Sequence, residues 1–243
     1  MHFLPVPGLR TVLTPGVTDV GDALAAAFAR RGFLWVSGGP GTGKTFAVHA
    51  SAGRIAGLLP LDVRAHPAPE DFRAALHRAL GLAGAAPADP GTADTLIRRA
   101  LATAQGVVLV DDADRLSASC FEYLRFLHDA TPGGLCVVLV AGEGGERSLG
   151  TRRMLASRTT DRVRVLPLNQ EEVMGAIPAL HPLWSSVDPG DLQELDFRFA
   201  QGSLRRWVLV THHARRVLAA TGGTPDAHLL RIVAGRIGRA GRP

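Results

Sequence analysis

The first two thirds of the chain alternate short apolar runs with longer amphipathic stretches. Strand-like apolar runs occur at 33–37, 59–63, 107–110, 136–140 and 162–166. Helical patterns separate them, at 18–31, 43–57, 69–80, 92–104, 117–130 and 146–157. Several of the short runs are continuously apolar, which is typical of parallel strands covered on both faces. The alternation therefore predicts an α/β fold with a parallel sheet.

After Pro167 the pattern becomes purely helical. Asn169 and Glu172 have the spacing of a helix N-terminal capping box. Helical patterns then cover about 169–180, 189–200, 203–220 and 225–238. We therefore predict an N-terminal segment with a helix at 1–32, an α/β core at 33–168, and a small all-helical domain with an arginine-rich C-terminal tail at 169–243.

Composition limits the class of protein. Of the 243 residues, 46% are hydrophobic and 20% are charged, which is typical of a globular chain with a sizeable core and excludes a disordered tail or a coiled coil. No apolar run approaches the roughly 20 residues of a membrane span, and residues 1–31 lack the order of a signal peptide. Cys120 and Cys136 each lie in an apolar stretch, which favours buried thiols in a reducing compartment. We expect a cytoplasmic protein.

Positive charge is concentrated at the C-terminal end. The chain has a net charge of +5 and a single lysine, Lys44. Residues 201–243 contain eight arginines against one acid, Asp226, so this segment alone carries +7. Such segregation indicates a surface for phosphates, most often those of nucleic acid. The alternative is arginine enrichment in a genome of high GC content.

A phosphate-binding loop is predicted between the first strand and the next helix. The segment consists of Gly38, Gly39, Pro40, Gly41, Thr42, Gly43, Lys44 and Thr45, which fits the pattern G-x-x-x-x-G-K-[ST]. Glycines let backbone N–H groups turn inward around phosphate oxygens, and the helix N-terminus adds its positive dipole end. Lys44 is expected to reach the β- and γ-phosphates, and the Thr45 hydroxyl is expected to hold Mg²⁺. The alternative is a glycine-rich turn without a ligand.

Two acids follow the apolar run 107–110. Asp111 and Asp112 emerge at the carboxyl end of a predicted core strand, the edge at which open α/β sheets bind ligands. Asp111 is expected to orient Mg²⁺, and Asp112 is expected to activate the attacking water. The alternative is a capping pair for the following helix. Asp114 fits a polar helix start better than a role in the site.

These motifs together resemble the AAA+ ATPases, in the branch that contains ExeA-like proteins and the transposition proteins TniB, TnsC and MuB. The resemblance runs from about residue 11 to 220, and its specific parts are the phosphate loop and the segments 107–116, 137–145, 154–173 and 201–206. It implies a P-loop NTPase core with a C-terminal helical lid, ATP and Mg²⁺ as cofactors, and ATPase activity.

The resemblance also implies an arginine finger, a residue that one AAA+ subunit inserts into the site of its neighbour. Arg158, before the last strand, matches this position. A finger neutralises the charge that develops on the γ-phosphoryl group. Arg152, Arg153 and Arg162 are nearby alternatives.

Segment 202–205 resembles the sensor-2 motif, which implies that Arg205 reaches the γ-phosphate and that Arg206 is a surface charge. Two positions depart from the family pattern. The second acid after the third strand is usually Glu, but here it is Asp112, one methylene shorter, so we expect slow hydrolysis. A polar sensor-1 residue is expected after the fourth strand, where residues 141–143 leave it unassigned.

The function that this resemblance favours is DNA transposition. ATP would drive assembly of a homo-oligomer, a ring or a helical filament, on duplex DNA, and the assembly would recruit or activate a DDE transposase or integrase. DNA contacts would be mostly to phosphates and therefore non-specific and sensitive to salt. The alternatives are an ExeA-like secretion or regulatory ATPase that acts on proteins, and a helicase loader of the DnaC or IstB kind.

Overall fold

The computed structural model describes residues 6–53, 55, 57–104, 106–145, 153–222, 233 and 235. Its described residues divide between two compact units. The first unit comprises the chain up to Pro15, the segment Gly39–Gly43 and the chain from Leu166 onward; the second comprises Gly16–Gly38 and Lys44–Val165. The division of the sequence at residues 32 and 168 stays a prediction.

Five parallel strands form the sheet of the second unit. They are β1 (Phe33–Gly38), β2 (Gly57–Leu61), β3 (Gly106–Val110), β4 (Cys136–Val140) and β5 (Thr159–Val165). Their order in the sheet is β2-β3-β4-β1-β5. All residues of β1, β3 and β4 are buried, as the continuous apolar runs predict, whereas the edge strands β2 and β5 are partly exposed.

Helices cover both faces of this sheet. They are α1 (Pro15–Arg30), α2 (Lys44–Ala52), α3 (Pro69–Ala79), α4 (Pro90–Thr103), α5 (Ala118–Ala130) and α6 (Arg153–Ala156). Alternate residues of each strand face opposite sides. On β1, Phe33 and Trp35 pack in the cluster that includes α3, α4 and α5, whereas Leu34 and Val36 pack with α1 and α2. The sheet is therefore the middle layer of three.

The first unit has a helical core of its own. Between residues 166 and 222 its helices are α7 (Gln170–Leu180), α8 (Pro189–Leu195) and α9 (Leu204–Thr221), with a short 3₁₀ turn at Pro182–Trp184 and a π-helical turn at Asp196–Ala200. Trp184 and Trp207 are fully buried and meet edge to face, with ring centroids 5.4 Å apart. Their indole N–H groups donate to Thr211 Oγ1 at 2.9 Å and to Asp196 Oδ1 at 2.8 Å, so neither buried donor is left unsatisfied.

Local patterns account for most element boundaries. The capping box at the start of α7 is confirmed, because Asn169 Oδ1 accepts from the Glu172 N–H and Glu172 Oε2 accepts from the Asn169 N–H. The expectation that α2 continues to Gly57 is wrong, since the helix ends at Ala52. The second strand begins at Gly57 rather than at Leu59 because it pairs residue for residue with β3. The predicted helix at 225–238, apart from residues 233 and 235, lies outside the described residues, and so do residues 146–152 of the helix predicted at 146–157.

Within the described part of the chain, no helix combines the length and hydropathy that crossing a membrane requires. Both cysteines are free and buried, as predicted. Burial raises the pKa of the Cys136 thiol to about 12.

Candidate nucleotide site

The phosphate loop begins at the last residue of β1 and leads into α2, which starts at Lys44. Gly38, Gly41 and Gly43 have φ angles of 151°, 81° and 100°, a region that side-chain-bearing residues rarely adopt. The chain can therefore curl tightly between strand and helix only because these positions are glycine. Thr42 is buried, and its hydroxyl donates to the Gly39 carbonyl at 3.1 Å, which closes the turn from inside.

Lys44 folds back over the start of the loop. Its Nζ donates to the Gly38 carbonyl oxygen at 2.9 Å. The ammonium group is thus held beside the end of β1, where the phosphate loop begins, by a residue only six positions away. A compact ammonium on a flexible stem suits this position better than a planar guanidinium does.

The Thr45 hydroxyl and the Asp111 carboxylate meet at this end of the sheet. Thr45 Oγ1 donates to Asp111 Oδ2 at 2.9 Å, and the other carboxylate oxygen accepts from the Asp112 N–H at 3.0 Å. Asp111 follows β3, which is two strands away from β1 in the sheet, so the pairing depends on the parallel fold. A hydroxyl and a carboxylate oxygen are hard ligands of the kind that Mg²⁺ takes beside a nucleotide. These two residues fit a magnesium ion.

Asp112 adopts the left-handed conformation, with φ at 50°. A short polar side chain tolerates this region better than most residues. Its side chain is 63% exposed, and Oδ2 lies 3.4 Å from Arg115 Nη1. Its assignment as the residue that activates water stays a prediction.

Asp114 makes a contact that sequence reasoning undervalued. Its Oδ1 accepts from the Gly142 N–H at 3.3 Å. This bond ties the 3₁₀ turn at Ala113–Arg115, which follows the two acids, to the segment after β4. The only signal in the sequence was the polar character of Asp114, because the bond joins residues 28 positions apart.

Arg205 lies against the middle of the phosphate loop. Its N–H donates to the Gly41 carbonyl at 3.2 Å, and the Ser203 hydroxyl donates to the same oxygen at 3.4 Å. Ser203 also caps α9 by accepting from the Arg206 N–H at 3.4 Å. The start of α9 is therefore fixed on Gly41. That the Arg205 guanidinium reaches a γ-phosphate stays a prediction.

Arg158 lies near the amino end of β1, opposite the end at which the phosphate loop begins. Its carbonyl accepts from the N–H of Phe33, the first residue of β1, whereas the phosphate loop follows the end of that strand. The six residues of β1, at about 3.3 Å each, separate the two ends of this strand. Arg158 is therefore not brought together with the loop of its own chain. An arginine finger is likewise distant from the phosphate loop of its own chain, because it acts on the site of a neighbouring subunit. Arg162 lies on β5, Arg153 begins α6, and Arg152 is outside the described residues.

Comparison with known proteins matches residues 28–149 to a family model described as an AAA domain. The chain is 28% identical over 226 residues to the ATP-dependent target DNA activator B of Escherichia phage D108 and to that of Escherichia phage Mu. Each alignment covers 90% of this chain and 69% of the relative. The resemblance to the AAA+ branch that includes MuB is thereby confirmed.

Solved structures share the fold at low sequence identity. Cdc6p from Pyrobaculum aerophilum matches with a TM-score of 0.74 and 14% identity, over 98% of this chain and 73% of that one. ORC2 of Aeropyrum pernix, in ADPNP and ADP complexes, matches with a TM-score of 0.72 and 15% identity, over 95% of this chain and 70% of that one. Drosophila ORC bound to DNA matches with a TM-score of 0.69 and 17% identity. The match covers 94% of this chain, which spans 62% of the length of that one. The predicted P-loop α/β core with a helical C-terminal part is confirmed.

Proposed function

This chain belongs to the AAA domain family, and from that membership we propose that it is an ATPase that assembles on duplex DNA and recruits or activates a transposase. At the coarser level it is an AAA+ ATPase related to target DNA activator B. The observation that carries the nucleotide site is the bond of Thr45 to Asp111 directly after a glycine-rich loop. The role on DNA is supported by the relatives, which are described as activators of target DNA.

The contacts within the phosphate loop and of Thr45 with Asp111 support the roles proposed for residues 38–45 and Asp111, and the family resemblance supports the others. Backbone N–H groups of residues 38–43, apart from Pro40, which has none, bind the phosphates; Lys44 binds the β- and γ-phosphates, and Thr45 with Asp111 holds Mg²⁺. The bound ion neutralises phosphate charge during transfer. Asp112 activates the attacking water, Arg205 contacts the γ-phosphate, and Arg158 completes the site of a second subunit.

Slow hydrolysis is part of this proposal. The side chain of Asp112 is one methylene shorter than that of the usual Glu; it is 63% exposed, and its Oδ2 lies 3.4 Å from Arg115 Nη1. Catalytic groups displaced by about 1 Å lose orders of magnitude in rate. A subunit that hydrolyses ATP slowly keeps its triphosphate for longer. An assembly that depends on ATP therefore persists long enough to engage a transposase.

Charge supports the DNA role. Helix α9 carries four arginines and two histidines and no acid, and Arg205, Arg206 and Arg216 are exposed. Four further arginines, at 231, 236, 239 and 242, lie outside the described residues. Contacts from such a surface go to phosphates, so binding falls steeply as salt rises.

The decisive experiment is duplex-DNA binding by fluorescence anisotropy with ATP, with ADP and without nucleotide, across a salt series. Tight binding that requires ATP and weakens with salt is the expected result. The Lys44→Ala variant is the matched control, and it is expected to lose ATP-dependent binding. Absence of DNA binding in all three nucleotide states would overturn the proposal and favour an ATPase that acts on protein partners.

A further inference from the structure

Asp129, at the end of α5, binds the guanidinium of Arg158. Arg158 Nε donates to Asp129 Oδ1 at 2.6 Å, and Nη2 donates to Oδ2 at 2.7 Å. Two parallel charge-assisted bonds in this fork arrangement are stronger and more specific than a single contact. The Arg158 side chain is 26% exposed and that of Asp129 is 36% exposed, so the pair is only partly screened by water. The fork fixes where the guanidinium lies.

The carboxylate of Asp129 has two further neighbours, the Arg125 guanidinium and the His128 imidazole. Arg125 Nη1 lies 3.0 Å from Oδ2, and His128 Nδ1 lies 3.3 Å from Oδ1. The hydrogen bond from Arg158 is the largest cause that lowers the pKa of Asp129, and the bond from His128 acts in the same direction. The carboxylate is therefore ionised at neutral pH. If Arg158 leaves, Arg125 still compensates the carboxylate, so departure does not strand a bare charge.

A carboxylate and a phosphate offer a guanidinium the same planar pair of oxygen acceptors. A finger acts through its positive charge, which Asp129 neutralises in the isolated subunit. We propose that Asp129 is a positioning residue that holds Arg158 in a charge-compensated position until the triphosphate of a second subunit replaces the carboxylate. The inference rests on the proposed role of Arg158 between subunits, and it adds that formation of the assembly must break this pair.

The test is ATP turnover per subunit as a function of protein concentration for the full chain and for Asp129→Asn. Without the carboxylate, assembly no longer has to break the pair. Ion pairs of this exposure contribute up to about 1 kcal/mol, which corresponds to roughly a two- to five-fold lower concentration at half-maximal turnover. The maximal turnover is expected to stay unchanged.

Two controls separate this effect from general destabilisation. Glu122→Gln removes an acid from the same helix that pairs with Arg125, and we expect it to leave the midpoint unchanged. Asp129→Glu keeps the charge and is expected to keep the wild-type midpoint, and thermal melting of each variant reports on folding. In an Arg158→Ala background, which lowers turnover if the finger is real, Asp129→Asn is expected to have no effect on the midpoint.

The outcomes are distinct. An unshifted midpoint in Asp129→Asn overturns the role of Asp129. A reduced maximal turnover overturns it too, because Asp129 would then help Arg158 to act rather than hold it away from the second subunit. Unchanged turnover in Arg158→Ala overturns the finger itself, and with it this part of the proposed function.

Discussion

Gly41 is the position at which a single methyl group tests the geometry of the phosphate loop. Its φ angle is 81°, and a Cβ built there lies 2.5 Å from Ser203 Oγ and 2.8 Å from Arg205 Cβ. Real Cβ atoms essentially never approach other atoms within 3.0 Å, so both neighbours must move. Because Ser203 caps α9, its displacement also disturbs the start of that helix.

The free-energy cost of Gly41→Ala has two parts, one from the backbone conformation and one from packing. A non-glycine residue in the left-handed region costs about 1–2 kcal/mol. Forcing a methyl group into a packed contact costs roughly 1–3 kcal/mol more. The expected sum is about 2–5 kcal/mol, divided between the stability of the fold and the ability of the loop to close on phosphates. We therefore expect a lower melting temperature and ATP affinity reduced by about tenfold or more.

The assay pairs thermal melting without nucleotide with titration of a fluorescent ATP analogue. Gly175→Ala is the matched control, because Gly175 is exposed in α7 and has open space around its Cβ position. Alanine there is expected to stabilise the helix by about 0.5–1 kcal/mol and to leave affinity unchanged. Wild-type melting together with wild-type affinity in Gly41→Ala would refute the contact between the loop and the start of α9.

Three further substitutions or measurements probe the site and the core. Thr45→Val is expected to weaken ATP binding about tenfold in the presence of Mg²⁺ and little in EDTA, as measured by the same titration; equal loss in both conditions would contradict the magnesium assignment. Asp112→Glu restores the usual reach and is expected to raise turnover about tenfold in a phosphate-release assay, and a lower rate would show that length does not limit hydrolysis. Burial holds the pKa of Cys136 at about 12, above its ordinary value of 9.0, so the unfolded chain releases this proton first and stability falls as pH rises between these values. Iodoacetamide at pH 9 is therefore expected to label Cys136 only in denaturant; rapid labelling of the native protein would be inconsistent with its burial.

Sequence patterns predicted the buried strands and the phosphate loop, because each of these segments is recognisable from residues next to one another in the chain. The run before Asp111 is continuously apolar, and all five of its strand residues are buried. The edge strand β2 was placed two residues late because its position is set by pairing with β3, in which Gly57 faces Gly106. Pro60 is exposed on this strand, in keeping with the tolerance of sheet edges for a residue without an N–H.

Contacts between distant residues carried no such local signal. Asp129 and Arg158 are 29 positions apart, and their fork depends on how the end of α5 packs beside the start of β5. Nothing in the spacing of Ser203 and Gly41 indicated that they would meet. The roles assigned to Asp112, Arg158 and Arg205 rest on resemblance, and they stay predictions that the experiments above address.

The bond between Ser203 and Gly41 has a consequence for biosynthesis. The two residues are 162 positions apart. At about 5–20 residues per second, a ribosome completes Gly41 roughly 8–32 s before it reaches Ser203. During that interval the glycine-rich turn exists without the helix start that braces it. The phosphate loop of a nascent chain is therefore braced at Gly41 only after all five strands of the sheet have been synthesised.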